Sequence, residues 1–409
     1  MPGKPAKLGS RSTRSVRREK PWLLFTGFEP SGDDHAAAVI AELKRRHPDL
    51  PIHAWGGPKM AAAGAEIVEQ TGQSAVMGIP SLGKILEHQR INARIKHWLD
   101  THGATVHIPV DSPAANFPIC KMAQKRGLKV VHLVAPQVWA WGTWRIRKLR
   151  RLSDLVLCLL PFEEPWFRQR GVNARFVGHP LFDHAPDAAA VDAQVQAFPA
   201  EAREAIPRLA LLPGSRPAEW TKNFPLILEA FRELRRERPT AAGVVAATHA
   251  QAAARLREIA EAHGGWPDGM HIVERQTDAV IAWCDLALVV SGTVTLQVAR
   301  QRKPMVVFYK SNPLLYATLA SWLVSTEFFT LPNLIAGREI VPELVPHFDG
   351  ADPIVEAARE LLKDPEAAAR QRSELDAVAG RFASTNAAIG AADAIERIAN
   401  LRPEPTPSA

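Results

Sequence analysis

Two short polar turns in the second half of the chain carry residue types that bind phosphate. Ser291, Gly292 and Thr293 follow an apolar run at 286–290 and precede a helical pattern that begins at Val294. Backbone N–H groups are free at a helix start, where the helix dipole also favours negative charge. Glycine allows close approach to the backbone, and the two hydroxyls add donors. Taken alone, an ordinary capped βα turn is the simpler interpretation.

A second turn of the same kind makes phosphate binding the better interpretation of the first. The segment LALLPGSRPAEW (209–220) is an apolar strand that runs into Gly214, Ser215 and Arg216. A guanidinium beside a glycine turn is a fixed, forked donor for phosphate, which a capping serine is not. Two such turns, about 80 residues apart, predict one α/β domain that grips a diphosphate from two sides.

Asp111 is the first candidate for acid–base chemistry. It directly follows a strand predicted at 105–110, and the carboxyl ends of parallel strands are where such sheets bind substrate. As a general base, this carboxylate would accept the proton of an attacking hydroxyl. From the sequence alone, an aspartate that caps the next helix is nearly as good an explanation.

A further acidic turn follows the first predicted strand, at 22–27. It contains Glu29 and the run Ser31, Gly32 and Asp33, before a helix that we predict from about 34 to 46. A glycine turn after the first strand of an α/β unit points towards a ligand crevice. A plain turn with an acidic helix cap is the alternative.

A basic aromatic patch lies between residues 139 and 151. It combines tryptophans with five positive charges in seven residues: Trp139, Trp141, Trp144, Arg145, Arg147, Lys148, Arg150 and Arg151. Indole rings favour the lipid–water boundary, and basic side chains favour anionic head groups. Stacking on single-stranded nucleic acid and a merely solvated helix face are the alternatives.

Length and composition indicate the elements that must position these residues. A chain of 409 residues with 46% hydrophobic and 23% charged residues is typical of a globular protein with two domains. Of the net charge of +7, residues 1–20 contribute +6, so the folded part is nearly neutral and no nucleic-acid groove is expected. The three cysteines lack paired spacing, which argues against disulfides and zinc. No apolar stretch reaches the length of a membrane span.

Strand and helix patterns alternate along both halves, which predicts parallel α/β domains. We predict a disordered basic tail at 1–20, a first domain at 21–182, an Ala- and Pro-rich linker at 183–207, a second domain at 208–365 and helices at 366–400.

Three segments in combination resemble lipid-A-disaccharide synthase, a family of glycosyltransferases with two Rossmann-like domains. They are LLPGSR (211–216), SGTVTLQ (291–297) and LPNLIAGREIVPEL (331–344). In the first half, EPSGD (29–33) and APQVWAW (135–141) are also similar to family motifs. The resemblance covers roughly residues 22–400 and implies two such domains that face each other across a cleft, with the last helices packed back towards the first domain.

The resemblance also implies a reaction and a set of site residues. A diacylglucosamine would pass from UDP to a lipid acceptor, diacylglucosamine 1-phosphate, with inversion and without a metal or cofactor. Asp111 would be the base. The donor site would comprise Gly214, Ser215, Arg216, Ser291, Gly292, Thr293, Gln297, Asn333 and Glu339. The acceptor or the cleft would contact Glu29, Ser31, Gly32, Asp33 and Met77.

The implied location is the cytoplasmic side of the bacterial inner membrane. An anionic membrane surface would be a partner, contacted through the basic aromatic patch. Nucleic acid is not an expected partner, and whether the chain forms a homo-oligomer stays open. Two departures from the family pattern matter: Gln297 replaces a glutamate, and the Asp111 loop reads DSPAANF where D-[AS]-P-D-F-N is expected. A nucleotide-sugar epimerase on the same fold and a non-catalytic nucleotide-sugar binder are therefore the alternatives.

Overall fold

The computed structural model describes residues 22–71, 82–313 and 326–401. Within these residues the chain forms two separate sheets in which every strand pair is parallel. Strands such as Leu23–Gly27 and Leu286–Val290 are buried along their whole length, because helices cover both faces of each sheet. This arrangement confirms the predicted α/β fold with two Rossmann-like domains.

The first sheet contains seven strands: β1 (Leu23–Gly27), β2 (Ile52–Gly56), β3 (Glu66–Gln70), β4 (Val106–Val110), β5 (Lys129–Leu133), β6 (Leu155–Cys158) and β7 (Ala174–Phe176). Its helices are α1 (Pro30–Arg46), α2 (Pro58–Ala62), α3 (Leu82–Thr101), α4 (Pro113–Gln124), α5 (Ile146–Leu152) and α6 (Glu163–Arg168). The strand order is β3-β2-β1-β4-β5-β6-β7. Neighbouring residues of β1 enter two cores, because Leu24 packs with Trp55 on one face and Leu23 packs with Ile40 on the other.

The second sheet contains six strands: β8 (Arg208–Leu212), β9 (Ala242–Ala247), β10 (Met270–Glu274), β11 (Leu286–Val290), β12 (Met305–Lys310) and β13 (Glu343–His347). Two short helices, α7 (Ala188–Gln196) and α8 (Ala200–Arg203), precede it. Its own helices are α9 (Pro217–Glu237), α10 (Ala250–Glu261), α11 (Thr277–Trp283), α12 (Val294–Arg300), α13 (Leu331–Ala336) and α14 (Asp352–Lys363). The strand order is β10-β9-β8-β11-β12-β13.

The segment that we predicted as a linker, 183–207, is more ordered than its weak periodicity indicated. It carries α7 and α8, and Phe198 and Ala202 are buried in the core of the second domain. The indole N–H of Trp283 donates to the Ala202 carbonyl at 3.2 Å. Alanine buries little surface, so its packing leaves almost no trace in a hydrophobicity pattern.

The last two helices, α15 (Pro365–Gly380) and α16 (Ala387–Ala399), pack on different domains. On α15, Leu375 belongs to the second-domain core, and the Gln371 amide oxygen accepts from the Met305 N–H at 2.6 Å. Helix α16 lies on the first domain, where Ile395 is fully buried and Arg46 pairs with Glu396 at 3.0 Å. The chain therefore returns to the first domain after α15.

The first helix begins earlier than predicted. It starts at Pro30 and not near residue 34, with Glu29 in the cap position. Proline is well suited to a first helical turn, since its missing N–H would have no partner there. The predicted run of Ser31 to Asp33 is therefore the first turn of α1 and not a loop.

Across the residues that the structure describes, no helix has the length and apolar character needed to span a membrane.

Candidate functional site

The candidate base and the two phosphate-suited turns lie at the points where strand order reverses. In the first sheet β1 is flanked by β2 and β4; Glu29 lies two residues after β1, and Asp111 directly follows β4. In the second sheet β8 is flanked by β9 and β11, and the two phosphate-suited turns follow β8 and β11. Helices leave such a sheet on opposite faces at the reversal, which opens a crevice at the carboxyl ends of the strands.

A cleft of about 950 Å³ separates the two domains and takes residues from both. Its first-domain wall contains Gln137, Trp139, Ala140, Trp141 and His179. Its second-domain wall contains both turns together with Glu219, Thr248, Thr277 and Gln297, and Phe328, Phe329, Leu331 and Leu334 complete the lining. Among the described residues, Asp111 and Glu29 do not line this cleft.

The turn after β11 is open towards the cleft. A side chain added at Gly292 would meet no atom within 4 Å, so the fold itself does not require glycine there. The Thr295 hydroxyl donates to the Gly292 carbonyl at 2.8 Å, and the Ser291 N–H donates to Phe308 at 3.0 Å. Hydrogen bonds within the domain thus fix the backbone of this turn, while the space next to Gly292 is open.

The turn after β8 differs from the prediction because a carboxylate of the chain already occupies it. Glu219 Oε2 accepts the N–H groups of Ser215 and Arg216 at 2.9 and 3.1 Å, and Oε1 pairs with the Arg216 guanidinium at 2.9 Å. Gly214 has a φ of 94°, and a side chain there would lie 2.5 Å from Glu219 Oε2. These two N–H groups are therefore not free for phosphate, although the rest of the Arg216 side chain is exposed.

Gln297, which replaces the expected glutamate, is half-buried on α12 and lines the cleft. It also lines an adjoining pocket of about 440 Å³, together with Thr248 and Thr277. An uncharged amide at this position can still both donate to and accept from a ligand hydroxyl.

Asn333 and Glu339 do not have the positions expected of donor ligands. Asn333 is fully buried: its amide oxygen accepts from Ile340 and Val341, and its NH₂ donates to the Val341 carbonyl and to Glu343. Glu339 is exposed and lies outside the cleft lining. Asn333 therefore fixes the chain between α13 and β13, because no hydrogen-bonding capacity is left for a ligand.

Asp111 is held in a strained turn. Asp111 and Ser112 have φ values of 47° and 38°, a left-handed conformation that costs a non-glycine residue about 1 kcal/mol or more. The buried Asn116 clamps the turn, since its NH₂ donates to the carbonyls of Val110 at 3.1 Å and Asp111 at 2.9 Å. The Thr26 hydroxyl in turn donates to the Asn116 carbonyl oxygen at 2.7 Å.

The surroundings of Asp111 favour its protonated form. Burial raises the pKa of this carboxyl, the Ser112 N–H opposes that rise, and the nearby negative charge of Glu29 adds to it. Glu29 is linked to the same turn, because the Ser112 hydroxyl donates to its Oε1 at 2.7 Å. A carboxylate with a raised pKa is a stronger base than a solvated one.

Asp33 has a structural position. Its carboxylate accepts the N–H groups of Gly57, Lys59 and Met60, each at 3.0 Å, and so caps α2. Both oxygens are occupied, which leaves Asp33 unsuited to accept a proton from substrate. Beside it, Ser31 is exposed and Gly32 is buried. Met77 lies outside the described residues.

The basic aromatic patch is divided by the fold. Trp139 is only 6% exposed and points inward, so its assignment to an exposed membrane patch is wrong. Trp141 and Trp144 are 48% and 63% exposed. The Arg145 guanidinium stacks 3.8 Å from the Trp141 ring centre, and the charged residues beyond it are exposed: Arg147, Lys148, Arg150 and Arg151.

Several cleft-lining residues were not among our predicted site residues, and His179 and the neighbouring buried Glu163 are the ionisable ones with shifted pKa values. His179 lines the cleft, and its Nδ1 accepts the Leu181 N–H at 3.2 Å, which places the ring hydrogen on Nε2. Burial lowers the pKa of His179 to about 4, so the ring is neutral. Glu163 is buried beneath Trp139. Its partner lies 24 positions away, so no local pattern could have revealed it.

The architecture is shared with solved structures of low sequence identity. The glycotransferase of kitacinnamycin has 18% identity and a TM-score of 0.60, with 93% of this chain and 100% of that chain covered. UDP-GlcNAc 2-epimerase from Neisseria meningitidis, bound to UDP-GlcNAc, has 14% identity and a TM-score of 0.59, with 92% and 98% covered. The fold and the cleft therefore define a two-domain α/β protein of the GT-B type.

Sequence comparison narrows this class to one family. The family model described as lipid-A-disaccharide synthetase matches residues 23–391. Lipid-A-disaccharide synthase from Cellvibrio japonicus is 36% identical, with 90% of this chain and 95% of the relative covered. The Alcanivorax borkumensis enzyme of the same name is 34% identical, with 88% and 94% covered. The chain belongs to the lipid-A-disaccharide synthetase family.

Proposed function

We propose that this chain transfers a diacylated glucosamine from UDP to diacylated glucosamine 1-phosphate, with inversion at the anomeric carbon. Its family gives the reaction class, a glycosyltransferase of lipid A biosynthesis. The observation that carries the proposal within the molecule is the cleft between the domains. Its lining combines the open turn after β11 and the exposed Arg216 on one wall with the indoles of Trp139 and Trp141 on the other, as a donor with a diphosphate and an acceptor with acyl chains require.

The diphosphate would lie against the second domain. The open turn at Ser291 to Thr293 offers backbone and hydroxyl donors, and the exposed part of Arg216 offers guanidinium donors. Because Glu219 fills the turn after β8, we place the phosphates nearer to β11 than to β8. These fixed donors would stabilise the charge that develops on the leaving UDP.

Asp111 would be the base. The acceptor hydroxyl oxygen forms a bond to the anomeric carbon as the bond from that carbon to the diphosphate oxygen breaks. Because Asp111 does not line the cleft, the acceptor hydroxyl must reach the carboxyl end of β4, where its proton passes to the Asp111 carboxylate. UDP leaves with the electron pair. The strained turn, the Asn116 clamp and the raised pKa all support this role.

An epimerase is not the favoured alternative. The Neisseria meningitidis epimerase is 14% identical to this chain, and at that level the likeness concerns the fold alone. The relatives with 34–36% identity over most of the chain are synthases.

The proposed reaction predicts that UDP is released only when donor and acceptor are both present. Purified protein would be incubated with the UDP donor, with and without the lipid acceptor, and UDP and donor epimer would be quantified. Acceptor-dependent UDP release supports transfer. Epimer formed without acceptor supports the epimerase instead, and donor binding without any product supports a non-catalytic binder.

The raised pKa of Asp111 predicts a pH effect. The base must be ionised, so kcat/KM should rise with pH through the Asp111 pKa. In Glu29→Gln the repelling charge is absent while the amide oxygen can still accept from Ser112. In this variant the pKa of Asp111 should be lower, so the acid limb of the kcat/KM profile should move to lower pH.

The pH profiles of kcat/KM for the wild type and this variant provide the check. Asp34→Asn is the control, because Asp34 is an exposed acid on α1, the helix that Glu29 precedes as its cap residue. If the acid limb of the Glu29→Gln profile is not shifted, the ionisation that controls kcat/KM belongs to a group other than Asp111.

We also propose that the exposed part of the basic aromatic patch contacts anionic lipid on the cytoplasmic face of the inner membrane. Trp141 and Trp144 present exposed indoles beside Arg147 and Lys148. Indole at the interface and basic residues over anionic head groups are both favourable, by about 1 kcal/mol for each basic residue near the surface.

The patch predicts salt-sensitive binding to vesicles that contain anionic lipid. Replacing both Arg147 and Lys148 by glutamate should weaken this binding at least tenfold in a sedimentation assay. Arg255 and Arg257, exposed on α10 of the other domain, provide the matched double replacement. Equal binding of wild type to neutral and anionic vesicles at low salt would leave the patch as a solvated helix face.

A further inference from the structure

Glu163 is a buried carboxylate whose two oxygens face different parts of the first domain. Oε2 accepts the N–H groups of Leu159 and Leu160 at 3.1 and 2.9 Å, just after β6. Oε1 accepts the indole N–H of Trp139 at 2.9 Å. One side chain therefore connects the end of β6, the strand next to the sheet edge, to a residue that lines the cleft.

Packing alone does not account for this carboxylate. The Trp139 ring already lies edge-on to Phe162, with ring centres 4.9 Å apart, and the surrounding core is apolar. A buried acid is costly in such a place unless its hydrogen bonds are satisfied. Burial raises the pKa of Glu163 to about 7 despite three N–H donors. The carboxylate orients the indole ring, which an apolar residue could not do, because its hydrogen bond to the indole N–H fixes how the ring lies.

We infer that Glu163 is a positioning residue, which holds the Trp139 indole as the first-domain wall of the cleft against which the acyl part of the acceptor packs. The inference rests on the proposed function, in which the second domain holds UDP. Gln137, Ala140 and Trp141 line the same wall, so a turned Trp139 ring changes the surface offered to the acceptor and not the surface offered to UDP.

A purely structural role is the alternative, since Oε2 also ties α6 to the end of β6. Glutamine at position 163 separates the two. Its amide oxygen can accept from Leu159 and Leu160, but its NH₂ then faces the indole N–H and cannot accept from it. Glu163→Gln thus keeps the link to the strand and loses the link to Trp139.

The test compares Glu163→Gln, Trp139→Phe and the double variant with the wild type in steady-state transfer. Glu163→Gln should raise the acceptor KM about tenfold while the donor KM stays within twofold. In the Trp139→Phe background the same replacement should have little further effect, because the residue on which it acts is already changed. Glu164→Gln is the control: Glu164 is next on α6 and accepts the Phe176 N–H, but it does not bond Trp139.

A second readout does not need turnover. The indole ¹⁵N–¹H resonance of Trp139, assigned by its loss in Trp139→Phe, should shift in Glu163→Gln and stay in Glu164→Gln. Lower thermal stability in Glu163→Gln with an unchanged acceptor KM and an unmoved indole resonance would overturn the inference and leave a structural acid. If the wild type itself releases no UDP, the proposed function fails first. The acceptor assignment then falls with it, whereas the resonance still decides whether Glu163 orients Trp139.

Discussion

Asp111→Asn is expected to lower the transfer rate about 100-fold or more while UDP still binds. Asparagine preserves the size of the side chain and removes its basicity. The turn should survive the change, because Asn116 holds it through the backbone carbonyls of Val110 and Asp111 and not through the Asp111 carboxylate. Asparagine also tolerates the left-handed conformation that this position requires.

The measurement is single-turnover transfer, with UDP affinity determined by calorimetry on the same samples. Asp34→Asn is the matched control on the surface of α1. Near-normal transfer by Asp111→Asn would move the base elsewhere, and Glu29, which shares the turn through Ser112, would be tested next.

Arg216→Ala is expected to weaken UDP binding by roughly 1.5–3 kcal/mol, the usual cost of losing a charge-assisted hydrogen bond. The variant loses the donors that face the cleft. It also leaves the Glu219 carboxylate without its guanidinium partner, so an approaching diphosphate meets an uncompensated negative charge. Because the Arg216 side chain is largely exposed, the fold should be unaffected.

Calorimetric titration with UDP checks this expectation. Lys222→Ala removes an exposed positive charge from the same helix and serves as the control, while Arg216→Lys asks whether the forked guanidinium is needed. Unchanged affinity in Arg216→Ala would exclude this residue from the diphosphate site and leave the turn after β11 as the principal anion contact.

The fold could be predicted because its signals are local. Runs such as Leu286–Val290 are buried on both faces and therefore apolar throughout, and polar turns mark where each run ends. The alternation of strands and helices then admits only parallel sheets. The strand order was not part of that prediction, since strand–helix alternation is compatible with more than one doubly wound order. The structure shows the order that brings the turns after β1 and β4 to one reversal and those after β8 and β11 to the other.

The errors concern side chains whose partners lie elsewhere in the chain. Trp139 belongs by composition to a basic aromatic patch, but the fold places Glu163 beneath it. Asn333 was expected to bind the donor, but its amide NH₂ donates to Val341 and Glu343. Glu219 is an exception, because it is only three residues from Arg216. A glutamate in a first helical turn is common, so its position in the sequence did not indicate that its carboxylate occupies the turn after β8.

The most direct test of the central claim is the anomeric configuration of the product formed from purified protein, UDP donor and lipid acceptor. The configuration would be read from the coupling constant of the anomeric proton in the NMR spectrum. A single displacement with Asp111 as base predicts a disaccharide 1-phosphate whose new linkage is inverted relative to the donor, with one UDP released for each disaccharide. A retained configuration, or UDP release without any disaccharide, would contradict the account.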